Sequence, residues 1–178
     1  LLGDCVTQLT EVTKSLNSGA QNTVLALLGQ AIKELATGGI VEGRLAQDGL
    51  ASMENVTKII EMQTISLVKN GILVGYHLGE GDPASVIKID SLGYDAGYVF
   101  QVLNDLEPFY GSEGNIAYKG RENTDFADLR KNHLVAVHLE SLSEDDRKSL
   151  LTELLADPKN TRAILRPDLE KRRTMAKV

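Results

Sequence analysis

Gly97, Gln101, Asn104 and Asp105 sit three and four residues apart, which places two amides and a carboxylate on one stripe of a helix beside a small residue. The opposite stripe, Ala96, Val99, Leu103 and Leu106, is apolar. A helix with an apolar back and a polar front can line a polar cavity inside a bundle, one able to hold a metal ion or a phosphate. Asn104 and Asp105 offer hard oxygen donors, which suit Mg2+ bound through a substrate phosphate. Further along, Asp125 and Asp128 precede Lys131 by about two turns and one turn, with Lys119 nearby. Carboxylates for a metal and a lysine for phosphate oxygens are what diphosphate chemistry needs. The same residues also fit a plainer account, in which the polar stripe faces water and the two aspartates open a solvated helix.

Other chemistries find no support. The single Cys5 and three histidines do not make a zinc site, because neither His77 nor the pair His133 and His138 has a companion at ligand spacing. Phosphate-binding glycine loops and GxSxG are absent, and no Ser/His/Asp set is grouped locally. Cys5 excludes an internal disulfide framework and fits a reducing, cytoplasmic setting. The net charge of −6 argues against nucleic-acid binding, and Lys171-Arg172-Arg173 is a short terminal run. No continuous apolar run approaches the roughly 20 residues needed to cross a bilayer, so no transmembrane segment is expected.

The elements that must position these residues are helical. Hydrophobic residues at 42% and charged residues at 25% of 178 describe a globular chain large enough for a real core, and the lack of Trp leaves that core to Leu, Val, Ile and Ala. The pattern Leu2, Cys5, Val6, Leu9, Val12, Leu16 predicts a first helix to about Asn17, where Asn17-Ser18-Gly19 breaks it. Val24, Leu27, Leu28, Ala31, Ile32 and Leu35 predict a second, interrupted at Gly38-Gly39, with a short helix over 41–48 beyond. Ser52 is an N-cap candidate with Asn55 three residues on. Val56, Ile59, Ile60 and Leu67 then share a stripe, into which Gln63 intrudes. Gly79 and Gly81 end that region, and Asp82-Pro83 caps the helix of the opening motif, which should stop near Pro108. Residues 109–123 read as loop. His133–His138 alternates like a strand, but a lone strand has no partner, so helix is expected. Ser143 with Asp146 resembles a capping box before Leu150, Leu151, Leu154 and Leu155, and Asp157-Pro158 closes that helix. These elements predict an all-α bundle in one domain over 1–178.

Together these segments resemble the C-terminal half of a trans-prenyl diphosphate synthase of the polyprenyl synthetase family. Phe100-Gln101-Val102-Leu103-Asn104-Asp105-Leu106-Glu107 resembles its second aspartate-rich motif, FQxxDDxxD. Gln63-Thr64 falls where the family has Lys-Thr, Val41–Gln47 resembles its EGExxQ segment, Thr124–Lys131 its later Asp-and-Lys segment, and Gly3-Asp4 its GD after the first aspartate motif. Order and approximate spacing agree over about residues 1–150.

The resemblance implies a helical bundle of the isoprenoid synthase type, usually dimeric, that joins an allylic prenyl diphosphate to isopentenyl diphosphate with Mg2+. It makes Asn104 and Asp105 metal ligands, direct or through water, with Gln101 orienting them or touching diphosphate. Gln63, Thr64 and Phe100 would meet the allylic substrate and Lys131 its diphosphate. Three departures weaken the pattern. Asn104 and Pro108 stand where the family has aspartates, Gln63 stands for its lysine, and Glu107 compensates only from a neighbouring angle. The first aspartate motif and the isopentenyl-binding basic residues would precede Leu1, so an N-terminal portion is expected to be missing. Three functions follow. The favoured one is a divergent prenyltransferase, its acceptor isopentenyl diphosphate or a peptide. The others are a non-catalytic subunit of a heteromeric synthase and a helical scaffold without ligand.

Overall fold

A computed structural model describes residues 2–48, 52–110, 132–157 and 161–171. Among them every regular element is helical: α1 (Leu2–Thr13), α2 (Ser18–Asp48), α3 (Met53–Ile60), a π-helical turn (Glu61–Ile65), α4 (Ser66–Leu78), a 3-10 turn (Pro83–Ser85), α5 (Val86–Tyr110), α6 (His133–Glu140), α7 (Glu144–Ala156) and α8 (Thr161–Lys171). The ambiguous His133–His138 stretch is helix, as expected. The chain groups into two compact units, one of residues 1–40 and 61–99 and the other of residues 41–60 and 100–178.

Several helix ends are set by the side chains that the sequence offers for them. Asn17 accepts from the Ala20 N–H at 2.9 Å, Ser52 from Asn55 at 3.2 Å and Ser143 from Asp146 at 3.2 Å, each satisfying an amide that a helix start leaves without a partner. Asp82 caps the turn at Pro83, with Oδ1 accepting from the Ala84 N–H at 3.0 Å. Before it, α4 closes at Gly79, Glu80 takes a positive φ of 54°, and the Gly81 N–H returns to the Tyr76 carbonyl at 3.0 Å. A side chain on Gly81 would run into the Tyr76 ring, whose hydroxyl donates to the Asp82 carbonyl at 2.7 Å.

Other boundaries depart from the sequence reading. α2 runs without a break through Gly38 and Gly39 into the segment expected as a separate short helix. Gly38 is there for closeness: a Cβ on it would lie 2.8 Å from Gln63 Cγ and 2.9 Å from Met62 Cβ. α5 continues past Pro108 to Tyr110. The missing amide of Pro108 costs one helical bond, and it falls two residues from the helix end. Leu67 is 55% exposed although Val56, Ile59 and Ile60 on its expected stripe are buried. The π turn between them holds one residue more than an α turn, which rotates everything after it and brings Ile65, Ser66, Asn70 and Leu73 inward instead.

In the first unit, Gly93 and Gly97 on α5 face Lys69 and Ile65. A Cβ on Gly97 would lie 2.8 Å from the Ile65 Cα, an approach that only glycine permits, and one on Gly93 would lie a tight 3.0 Å from the Lys69 Cα. Buried Asn70 donates to buried Ser66 at 3.1 Å, which settles two polar side chains on the inward face of α4. The second unit has a leucine-rich core of Leu134, Val135, Leu139, Leu142, Leu150, Leu154, Leu165 and Leu169, onto which Leu106 packs. α3 packs on α6, where the Met53 N–H donates to Glu140 at 3.1 Å. By length and composition, Ser18–Arg44 of α2 is apolar enough to cross a membrane, since an 18-residue window within it reaches a mean hydropathy of 1.4. This narrows the expectation that no segment qualifies, although the core helix of a soluble bundle passes the same test.

Candidate functional site

In the second unit the polar stripe of α5 is turned inward. Asp105 is buried, and both its carboxylate oxygens accept hydrogen bonds from the protein. Oδ1 receives the Gln101 amide at 2.7 Å, one helical turn back, and Oδ2 receives the His133 backbone N–H at 2.6 Å. Buried Asn132 completes the join: its amide donates to the Asp105 carbonyl at 3.1 Å, and its Oδ1 accepts from the Val135 N–H at 3.0 Å. Its own carbonyl accepts from Ala136 at 3.0 Å. Three amides at the start of α6 are thus satisfied, two by side chains of Asp105 and Asn132. Hydrogen bonds to a carboxylate are roughly twice as strong as neutral ones, and a negative charge is favoured at a helix N-terminus. Burial holds the His133 imidazole below its ordinary pKa.

The apolar stripe of α5 is largely turned out. Val99 and Leu103 are 54% and 61% exposed, and Phe100, expected against substrate, is 60% exposed. Gln101 and Asn104 are half-buried. Periodicity finds the two faces of this helix but does not decide which one meets the core. The partners of Asp105 were missed in the sequence. Their signal is Asn132, an N-cap residue type directly before the apolar run His133–His138.

In the first unit, Gln63 and Thr64 lie half-buried on the π turn. Single π turns inside α-helices are frequent at functional sites. On the same turn Glu61 accepts the Tyr94 hydroxyl at 2.9 Å, and this hydrogen bond, with burial and the Glu61 charge, raises the Tyr94 pKa. A cavity of about 380 Å³ is lined by Glu34, Glu61, Met62, Ile65, Ser66, Lys69 and Tyr94. Of the described residues in this unit assigned to substrate from the sequence, neither Gln63 nor Thr64 lines it. Its carboxylates repel a diphosphate, and Lys69 already pairs with Asp90 at 3.4 Å.

Lys131, Lys119, Asp125 and Asp128 lie outside the described residues, as does the side chain of Glu107. The resemblance implies Mg2+, and the described residues do not fit a resident ion. Asn104 and Asp105 are the only proposed donors among them, and Asp105 spends an acceptor site of each oxygen inside the protein. No group of three His, Cys, Asp or Glu side chains able to hold an ion occurs among the described residues.

A sequence model of the polyprenyl synthetase family matches residues 3–167, and the chain belongs to that family. The crystal structure of geranylgeranyl pyrophosphate synthetase from Pyrococcus horikoshii Ot3 shares its fold, with a TM-score of 0.72 at 20% identity. The match covers 92% of this chain and 51% of that one, so the chain spans about half the length of that structure. No curated protein sequence matches. The all-α isoprenoid synthase fold expected from the motifs is the fold found.

Proposed function

We propose that this chain supplies the C-terminal part of a prenyltransferase that takes an allylic prenyl group from its diphosphate. The observation that carries the reading is the family match over residues 3–167, a range that includes Gln63-Thr64 and Phe100–Glu107. In the reaction the allylic C–O bond ionises, the electron pair leaves with diphosphate, the acceptor forms the new bond to the carbocation, and the acceptor then gives up a proton to the released diphosphate or to water. Lys131 would meet the departing negative charge. Gln63, Thr64 and Phe100 would position the allylic chain, and Asn104 would present its amide to diphosphate. Gln63 in place of a lysine removes a positive charge that would meet phosphate, and Asn104 in place of an aspartate removes a negative charge that would meet a metal. A weaker grip on diphosphate follows. Mg2+ enters this reading from the resemblance alone, and no step is derived through it. A dimer, of like or unlike subunits, and a cytoplasmic location belong to the same proposal.

Calorimetric titration with a non-hydrolysable farnesyl diphosphate analogue, with and without Mg2+, tests it. The expected result is saturable binding that Lys131→Ala weakens. An analogue that releases no heat with the chain, or with a longer form carrying a first aspartate motif, would overturn the prenyltransferase reading in favour of a non-catalytic subunit or scaffold.

A further inference from the structure

The residue that the motif offers as a metal ligand is the one most fully committed to the protein interior. Asp105 is buried, its two oxygens receive Gln101 at 2.7 Å and the His133 N–H at 2.6 Å, and its own carbonyl receives Asn132 at 3.1 Å. A carboxylate that served a diphosphate-bound ion would face the solvent or a cavity and turn an oxygen toward it. The bond to His133 instead crosses 28 positions of sequence to the first turn of α6. Asn132, the N-cap of that helix, is tied to the same residue from the other side.

We infer that Asp105 is a helix clamp in this chain: its carboxylate fastens the start of α6 to α5 and does not ligate metal. Gln101 is the clamp's second support, holding the carboxylate in the orientation that α6 requires. The clamp needs no substrate, so it stands or falls separately from the proposed reaction.

The test reads local structure and metal proximity, without turnover. In the full chain, amide exchange followed by NMR should show the His133 N–H protected, and Asp105→Ala should remove that protection and lower the melting temperature by about 3–10 °C with chelator present. Asp105→Asn is the second variant, because its amide oxygen keeps one of the two bonds and the chain stays folded. Its loss should be intermediate. Mn2+ added with inorganic diphosphate should leave the His133 amide resonance sharp, since a paramagnetic ion on Asp105 would broaden it first. Selective broadening of that resonance, abolished in Asp105→Asn, would overturn the clamp. So would wild-type melting and His133 protection in both variants.

Discussion

Gly97 lies so close to Ile65 that a methyl group on it would stand 2.8 Å from the Ile65 Cα, against a comfortable carbon–carbon separation of about 3.5–4.0 Å. The neighbour is backbone in the π turn and cannot rotate aside. Gly97→Ala should therefore destabilise the chain by about 1–3 kcal/mol, the usual cost of overpacking. Denaturant unfolding checks this, and a midpoint equal to wild type would show that the contact relaxes freely.

The adjacent pair Gly38 and Gly39 separates packing from propensity. Gly38 is buried against Met62 and Gln63, whereas a Cβ on Gly39 meets nothing within 4 Å. Gly38→Ala should destabilise, and Gly39→Ala should stabilise α2 by up to about 1 kcal/mol. Thermal melts of the two variants should move in opposite directions. Equal shifts would contradict the continuous helix.

Tyr94 should ionise above its ordinary value of 10.0, because its hydroxyl donates to Glu61. A pKa raised by folding favours the neutral form. The contribution to stability is whole below pH 10 and fades as pH rises through the folded value. Phenolate absorbance should show one of the chain's five tyrosines titrating late, and Glu61→Gln should bring it back toward the ordinary range.

His133 gives the opposite edge. Its folded pKa is held below 6.5 by burial, so the unfolded chain takes up the proton first as pH falls. Stability from this group is intact above pH 6.5 and declines below it, toward the folded value. Melting temperature should fall as pH drops below 6.5, and His133→Gln should flatten that slope. An unchanged slope would mean that the imidazole is hydrated in the folded state.

Helix content, most helix starts and the family were legible in the sequence because each rests on local spacing. Ser52, Asp82 and Ser143 cap as their types predict. What failed depended on neighbours far along the chain. A glycine pair reads the same whether it breaks a helix or admits another one, and only the side chains of Met62 and Gln63 show which. Leu67 leaves its stripe because a π turn adds a residue to the period, which no count of apolar positions reveals. The site divides the same way. Gln101, Asn104 and Asp105 were found on one face, but that Asp105 bonds to His133 depends on a join between α5 and α6.

The run Gly79-Glu80-Gly81-Asp82-Pro83 has the composition of a flexible linker, and its geometry is that of a locked corner. The Tyr76 ring fills the space above Gly81, and its hydroxyl is fastened to Asp82. Opening the corner would strip an aromatic ring of its packing and its hydrogen bond at once. For anyone splitting, tagging or circularly permuting this chain, the glycine-rich joint is therefore a poor place to cut, and a protease searching for slack backbone would find little there.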